Sequence, residues 1–263
     1  MIVTFLNCID KKSEDTFDQD YDNGRDIVYG LNQLLNELAS IDSKNAAHHE
    51  STMELNARIV KTIESISTPA LLDEVKEHYF RKKPSFLFAI SEDENVVVFS
   101  WHLPNNQSTN DIKNLALHKI DEKVTPIALH GKPTNYNDIY TLKTAQGNPI
   151  YIFEGWEEST EITYRNRIDA YSISDNTAIK AKVFPNRKYS LISEYSFLGH
   201  HAHVRSSIEK DGSLILIPQV TGSKIIFSAL EFDGTQYTNT YFKESLKPIN
   251  ITNQVGLAQI RYY

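Results

Sequence analysis

The stretch from Pro84 to Leu103 most constrains what this chain can fold into. An apolar run, Phe86-Leu87-Phe88-Ala89-Ile90, meets a polar tip, Ser91-Glu92-Asp93-Glu94-Asn95. A second apolar run, Val96-Val97-Val98-Phe99, then leads to Trp101. Two β-branched and aromatic runs across a short polar tip form a hairpin. Apolar residues fall on both faces of each arm, so this hairpin is expected to be buried on both sides. Helical patterns precede it and strand patterns follow it.

The helical segment spans residues 25–83. Ile27, Val28, Leu31, Leu34, Leu35, Leu38 and Ile41 form one stripe at helical spacing. Ser51-Thr52-Met53-Glu54 fits a capping box at the start of a second helix, whose apolar face continues through Ile59, Val60, Ile63 and Ile66. Thr68-Pro69 marks a third start, with Thr as cap and Pro in the first turn. Leu71, Leu72, Val75 and Tyr79 give that helix its apolar face. Arg81-Lys82-Lys83 suits the negative end of the helix dipole, and Pro84 stops it.

Residues 84–263 read as an antiparallel β domain. Candidate strands cover Val124 to Leu129, Ile139 to Lys143, Ile150 to Glu154, Ile162 to Ala170, Ile179 to Val183, Tyr189 to Phe197, Leu214 to Ile217, Ile225 to Phe232 and Gln236 to Phe242. The tail from Ile249 to Ile260 offers one or two more. Gly147-Asn148-Pro149, Asp175-Asn176, Asp211-Gly212 and Asp233-Gly234 separate them, and such pairs tolerate the positive φ of tight hairpins. The turns are too unevenly spaced for a clean repeat. The expected class is α+β, mostly β: N-terminal helices, then an antiparallel meander forming an incomplete propeller or a curled sheet, with a β-sandwich as the alternative.

Residues 1–24 read as an anchor and an acidic tether. Met1 to Ile9 is apolar and contains Cys8. Asp10 to Asp26 then carries seven acids against Lys11, Lys12 and Arg25, too few apolar groups to offset the entropy of ordering. Phe5-Leu6-Asn7-Cys8 resembles a lipobox, with Phe where leucine is usual and Asn where a small residue is usual; the apolar part is short and lacks a basic start. Lipidation at Cys8 is one reading; a buried first strand with Cys8 as a small core residue is the other. The single cysteine excludes internal disulfides and a cysteine-rich zinc site. With 27 basic and 34 acidic side chains the formal charge is −7, which argues against a nucleic-acid partner. No apolar run approaches the roughly 18 residues of a membrane span, so membrane contact is expected only through a lipid anchor.

Ser91, Asp93, Ser100 and Trp101 carry a family resemblance. The segment resembles a Ser-x-Asp-Gly turn leading into a Tyr-Ser-Trp strand, a pattern of uncharacterised secreted or lipid-anchored β-rich proteins of Bacteroidota. Ile139-Tyr140 and Ile150-Tyr151-Ile152-Phe153 look like that family's paired Tyr-rich strands. Glu94 stands where the family has glycine, and Leu103-Pro104-Asn105-Asn106 where it has Gly-Gly-Thr-Met. The resemblance implies an extracytoplasmic address and no reaction.

Chemistry-bearing clusters are few. In Gly199-His200-His201-Ala202-His203, a strand would project His201 and His203 on one face, where they could share a metal; an exposed loop is the plainer alternative. Ser207-Ile208-Glu209-Lys210 fits Ser-x-x-Lys but lies in strand pattern, not on the helix that motif needs. Glu157, Glu158 and Glu161 follow Gly155-Trp156 in what reads as a solvated loop. Trp156 beside these acids is a candidate for stacking on a sugar ring, or a core residue; Trp101 is expected in the core. No catalytic residue and no cofactor is expected. The leading expectation is a non-enzymatic periplasmic or cell-surface lipoprotein that binds a protein or cell-envelope component. A metal-dependent hydrolase using His201 and His203, and a cytoplasmic immunity-type interaction protein, are the alternatives.

Overall fold

The computed structural model describes residues 21–42, 49–82, 84–104, 111–160, 163–174, 176–196, 206–221, 224–240 and 249–250. Cys8, most of the acidic tether, Glu161 and the cluster His200 to His203 lie outside the described residues, as does the tail beyond Asn250.

Three helices come first: α1 (Gly24–Ala39), α2 (His49–Glu64) and α3 (Pro69–Lys82). Asn23 caps α1, its side chain accepting from the Asp26 backbone N–H. The Thr68 hydroxyl accepts from Leu71 N–H at 3.3 Å, so the Thr-Pro start of α3 is as expected. The second start differs. α2 already includes His49, which places Ser51 inside the helix and not at its cap.

The strands fall into three antiparallel sheets in chain order. The first holds β1 (Leu87–Ile90), β2 (Val96–Leu103), β3 (Asp111–Ile120) and β4 (Lys123–Ile127). The second holds β5 (Asn135–Lys143), β6 (Pro149–Thr160), β7 (Thr163–Ser174), β8 (Thr177–Lys180) and β9 (Ser190–Ser196). The third holds β10 (Ser207–Glu209), β11 (Leu214–Thr221), β12 (Lys224–Phe232), β13 (Tyr237–Thr240) and β14 (Ile249–Asn250). The architecture is the expected one: helices, then a mostly β antiparallel meander.

Alternation of side chains along the strands turns these sheets into a stack. Phe86, Phe88, Val97, Phe99 and Trp101 pack on Ile27, Leu31, Leu38, Ile59 and Val75 of the helices. The opposite face of the first sheet (Ala89, Val96, Val98, Ala116) packs on Tyr136, Tyr151, Phe153 and Tyr171 of the second. The far face of the second sheet (Ile150, Ile152, Ile168, Ala170) packs on Ile215, Leu230 and Tyr237 of the third. The central hairpin is thus covered on both sides, as its composition requires. Trp101 is core, and its indole N–H donates to Asn56 Oδ1 of α2 at 3.1 Å.

β1 and β5, the first strands of the first two meanders, lie together, with a parallel bridge between Ser91 and Ile139. That placement is the fan-like order of propeller blades. The second and third sheets share a further device: the third strand is long, and two short segments divide its outer edge. β8 pairs with the C-terminal half of β7 and β9 with its N-terminal half. Likewise β13 pairs with Ala229 to Phe232 of β12, and β14 with Lys224 and Ile225. The uneven turn spacing thus conceals a repeated construction: the return between the two halves spans residues 181–189 in the second sheet and 241–248 in the third, while the second short segment pairs over seven residues in β9 and two in β14.

Tight turns gather at one end of the stack. Asn95 O accepts from Lys119 N–H at 2.7 Å within the first sheet, and Gly234 O accepts from Ala145 N–H at 2.8 Å between the second and third. Glu94 adopts φ 57° at the position where the resembling pattern carries glycine. An αL turn is what glycine serves at no steric cost. Here Glu94 also pairs with Lys76 of α3 at 2.7 Å.

Two strand expectations need correcting. Asp111–Ile120 is a full strand, although Lys113, Asn114, His118 and Lys119 mask its alternation. And β6 does not end at Glu154; it continues through Gly155, Trp156, Glu157 and Glu158 to Thr160, so the expected acidic loop is strand.

Candidate functional site at the loop end of the second sheet

The polar side chains of the second sheet collect at the end opposite the tight turns, on both of its faces. On the face toward the first sheet, Asp169 is the hub. Tyr136 O–H donates to Asp169 Oδ2 at 2.7 Å, Arg167 Nε donates to the same oxygen at 2.7 Å, and the Ser190 hydroxyl donates to Oδ1. All of Tyr136, Arg167 and Asp169 are buried. Burial and then the Asp169 charge push the Tyr136 hydroxyl well above the usual phenol range. The same two causes push Tyr171 up to about 12. Burial works against the Arg167 charge, and Asp169 more than restores it.

Glu157 lies on the same face. It is 2 % exposed, not solvated as its acidic neighbourhood implies. Lys132 Nζ lies 2.5 Å from Glu157 Oε2, and Arg165 lies 3.9 Å from Oε1. A strand environment explains the correction: Glu157 alternates with Trp156 and points inward between sheets, where a charge persists only when paired.

The face toward the third sheet is different. Asn135 pairs with Trp156 in register, Trp156 with Asn166, and Asn166 with Ser193. Directly opposed residues share a face, so these four form a straight row across β5, β6, β7 and β9. Asn166 Nδ2 donates to Glu154 Oε1 at 3.4 Å and to Gly155 O at 3.3 Å. Tyr140 O–H reaches Glu154 Oε2 at 3.5 Å, and Ser193 Oγ lies 2.8 Å from Ser206 Oγ. Asn135 is fully buried, yet neither its Nδ2 nor its Oδ1 has a hydrogen-bond partner; Asn166 Oδ1 also has none. Trp156, between the two amides, is half-buried. Gly155 is what allows β5 so close: a Cβ there would meet Asn135 O at 2.6 Å.

Of the residues singled out from sequence, Trp156 and Glu157 fall within this site, on opposite faces of the sheet. His201, His203 and Cys8 lie outside the described residues, and the side chain of Glu158 is not described. Ser207 sits in β10 and Lys210 in the following turn, so no helix aligns them. Among the described residues, no group of three or more His, Cys, Asp or Glu side chains is placed to hold a metal. Asn135 and Asn166 were missed. The available signal was two asparagines, residues that strands disfavour, inside strongly β-forming runs.

A groove of about 310 Å³ lies on the helical layer, lined in part by Tyr21, Asp26, Tyr29, Glu37 and Arg58. Its lining mixes charges of both signs and brings together no nucleophile and base.

No known family model and no curated protein matches the chain.

Proposed function

We propose that this protein is a non-enzymatic, extracytoplasmic binding module that contacts a cell-envelope component, held to a membrane by a lipid on Cys8. One observation carries the binding half of the reading. At the loop end of the second sheet the carboxylates face charged or hydrogen-bonding partners, Asp169 three donors and Glu157 the Lys132 ammonium, while the amides beside Trp156 retain hydrogen-bonding capacity that the fold does not use. Buried polar groups are normally paired, so unspent amides at a half-buried indole favour a contact site over a reaction site. The address rests on Cys8 behind an apolar start and ahead of the acidic tether.

Two measurements test this together. Full-length chain expressed with a labelled fatty-acid precursor should carry the label, and Cys8→Ser should not. Purified chain lacking the lipid should sediment with isolated sacculi or envelope fragments and stay in the supernatant with bare lipid vesicles. An unlabelled chain that also fails to sediment with every envelope fraction overturns the reading.

A further inference from the structure

We infer that the strap joining β8 to β9, with Lys180, Lys182, Arg187 and Lys188, is a contact for a linear polyanion, an envelope glycan that carries repeating carboxylate or phosphate groups. The inference rests on the envelope-binding reading above and names the chemistry of one component that the module would grip.

Charge comes first. From Thr177 to Ile192 the chain places four cations and no acid, within a protein whose formal charge is −7. Lys182, Arg187 and Lys188 are exposed, and none of the three pairs with a described residue. Lys180 Nζ lies 4.2 Å from the centre of the Tyr189 ring. These cations differ from Arg167 and Lys132 on the same sheet, which face Asp169 and Glu157. Like charges in one short segment repel, and an anion bound among them relieves that repulsion. The negative net charge opposes a polyanion at long range, but salt screens that field beyond about 8–10 Å, so the strap decides the contact itself.

The backbone that presents these cations is fixed. Val183 and Phe184 are buried between the second and third sheets, at 4 % and 0 % exposed. The Phe184 ring stacks on Tyr237 at 5.3 Å, and Tyr237 N–H donates to Val183 O at 2.6 Å. Phe184 N–H donates to Lys188 O at 3.0 Å, and Lys188 N–H donates to Phe184 O at 3.2 Å. The turn they close, Pro185–Arg187, holds Asn186 at φ 60° and Arg187 at φ 57°. Asparagine tolerates the left-handed region, whereas an arginine there carries strain that glycine would avoid. What the arginine adds at that position is charge and a forked set of donors, which suit carboxylate and phosphate alike. A strap already ordered spares part of the cost of binding.

The edge geometry favours a polymer over a bilayer. Exposed Ile179 and Ile192 bound the strap, at 53 % and 54 % exposed. Ile179 opposes Ser172 and Ile192 opposes Arg167. Those partners lie an odd number of residues apart on β7, so the two isoleucines project from opposite faces of the sheet. They offer no single apolar surface for insertion among lipids. β8, the strap and β9 instead follow one another along the outer edge of β7, a line of contact suited to a chain.

The test uses the full chain without its lipid, passed over immobilised polygalacturonate and poly(glycerol phosphate), with dextran as the neutral control. The two polymers separate a carboxylate source from a phosphate source. The expected result is saturable binding to at least one of them and none to dextran. That binding should weaken about tenfold or more between about 50 and 200 mM salt. The triple variant Lys182→Gln/Arg187→Gln/Lys188→Gln should lose about tenfold or more in affinity and flatten the salt dependence, at an unchanged thermal midpoint. Lys182→Gln/Lys188→Gln leaves the Arg187 turn in place, should lose affinity severalfold, and carries the test if the triple variant does not fold. Arg25→Gln/Lys82→Gln/Lys123→Gln removes the same charge from three exposed positions elsewhere and should bind as the parent does. The inference is overturned if neither polymer binds, if the folded strap variants bind as the parent does, or if the control variant loses as much. It is also overturned if vesicles of phosphatidylglycerol and phosphatidylcholine capture the chain as well as the polymers do. Failure on both polymers with sedimentation on sacculi retained sinks this inference alone. Polymer binding by a chain that takes no label at Cys8 and does not sediment with envelope fractions sinks the envelope reading alone.

Discussion

The Tyr151 hydroxyl donates to Asp93 Oδ2 at 3.0 Å, which ties the tip of the first hairpin to the middle of the second sheet. Asp93 also accepts from the Ser91 hydroxyl at 2.6 Å, from Asn95 N–H at 3.1 Å and from Asn95 Nδ2 at 3.0 Å. One carboxylate therefore shapes a turn and docks one sheet on the next. The Ser-x-Asp part of the sequence pattern acquires a physical role: the serine and aspartate build the turn together, and Ser91 Oγ accepts from Val96 N–H to start β2.

Truncating Asp93 should cost more than truncating any one of its donors. Asp93→Ala leaves Tyr151 and Asn95 without their acceptor, and we expect a loss of about 1–3 kcal/mol. Tyr151→Phe removes a single hydrogen bond and should cost about 0.5–1.5 kcal/mol. Urea unfolding of both single variants and the double variant gives the coupling between them. Strict additivity would show that the contact carries no docking energy.

Acidification should weaken the fold in two windows. Burial raises the Asp93 pKa, but its hydrogen bonds from Ser91, Asn95 and Tyr151 outweigh that and hold it below the usual carboxylate range. A carboxyl depressed in the folded state contributes its full stability above about pH 4 and loses it as pH falls through the folded value. Burial likewise depresses His118, partly offset by the Asn176 hydrogen bond and the Asp93 charge. The unfolded imidazole then takes up its proton first, so stability begins to fall below about pH 6.5. Urea midpoints measured across this range should fall in both windows. His118→Gln should flatten the upper window and Asp93→Asn the lower; unchanged slopes would contradict the assignment.

The Arg167–Asp169 pair should behave as a staple. Asp169→Ala strands a buried guanidinium and should cost about 3–5 kcal/mol, since removing one partner of a buried pair leaves an uncompensated charge. Arg167→Met added to Asp169→Ala should recover much of that loss. Chemical denaturation of the two variants checks it. A double variant no more stable than the single would mean that Asp169 acts through Tyr136 and Ser190 instead.

Gly155→Ala should force β5 away from β6. The added methyl would meet Asn135 O at 2.6 Å and Thr134 Cγ2 at 2.8 Å. Overpacking of this kind costs about 1–3 kcal/mol. Hydrogen exchange should quicken at the β5–β6 pairs near Asn135 and remain unchanged at the Lys143–Pro149 end. Uniformly unchanged exchange would contradict the close approach.

Elements with an uninterrupted period were legible in the sequence. The α1 stripe from Ile27 to Leu38 is buried in full, and Thr68-Pro69 and Asp233-Gly234 mark real boundaries. β3 escaped because Asn114 and His118 sit in half-buried positions where polar residues find partners: Asn114 holds the Thr134 backbone at both its carbonyl and its N–H. The continuation of β6 escaped because Gly155 and a run of acids look like a loop to any local rule. The strand survives there because Lys132 and Arg165, remote from Glu157 in one case and across a strand in the other, neutralise it. The asparagine row could not be read at all without register: Asn135, Trp156, Asn166 and Ser193 are scattered along the chain and become neighbours only when four strands align. Before alignment Trp156 and the two strand asparagines carry only separate signals.

The account holds that buried charge in the second sheet serves structure, while the amides around Trp156 serve contact. The most direct test is one binding isotherm on isolated sacculi, run side by side for the parent chain, Asp169→Asn and Trp156→Ala, each with its unfolding midpoint. The account predicts that Trp156→Ala loses binding per folded molecule, whereas Asp169→Asn unfolds earlier yet binds normally per folded molecule. A folded Asp169→Asn that no longer binds, beside a Trp156→Ala that still does, would contradict it.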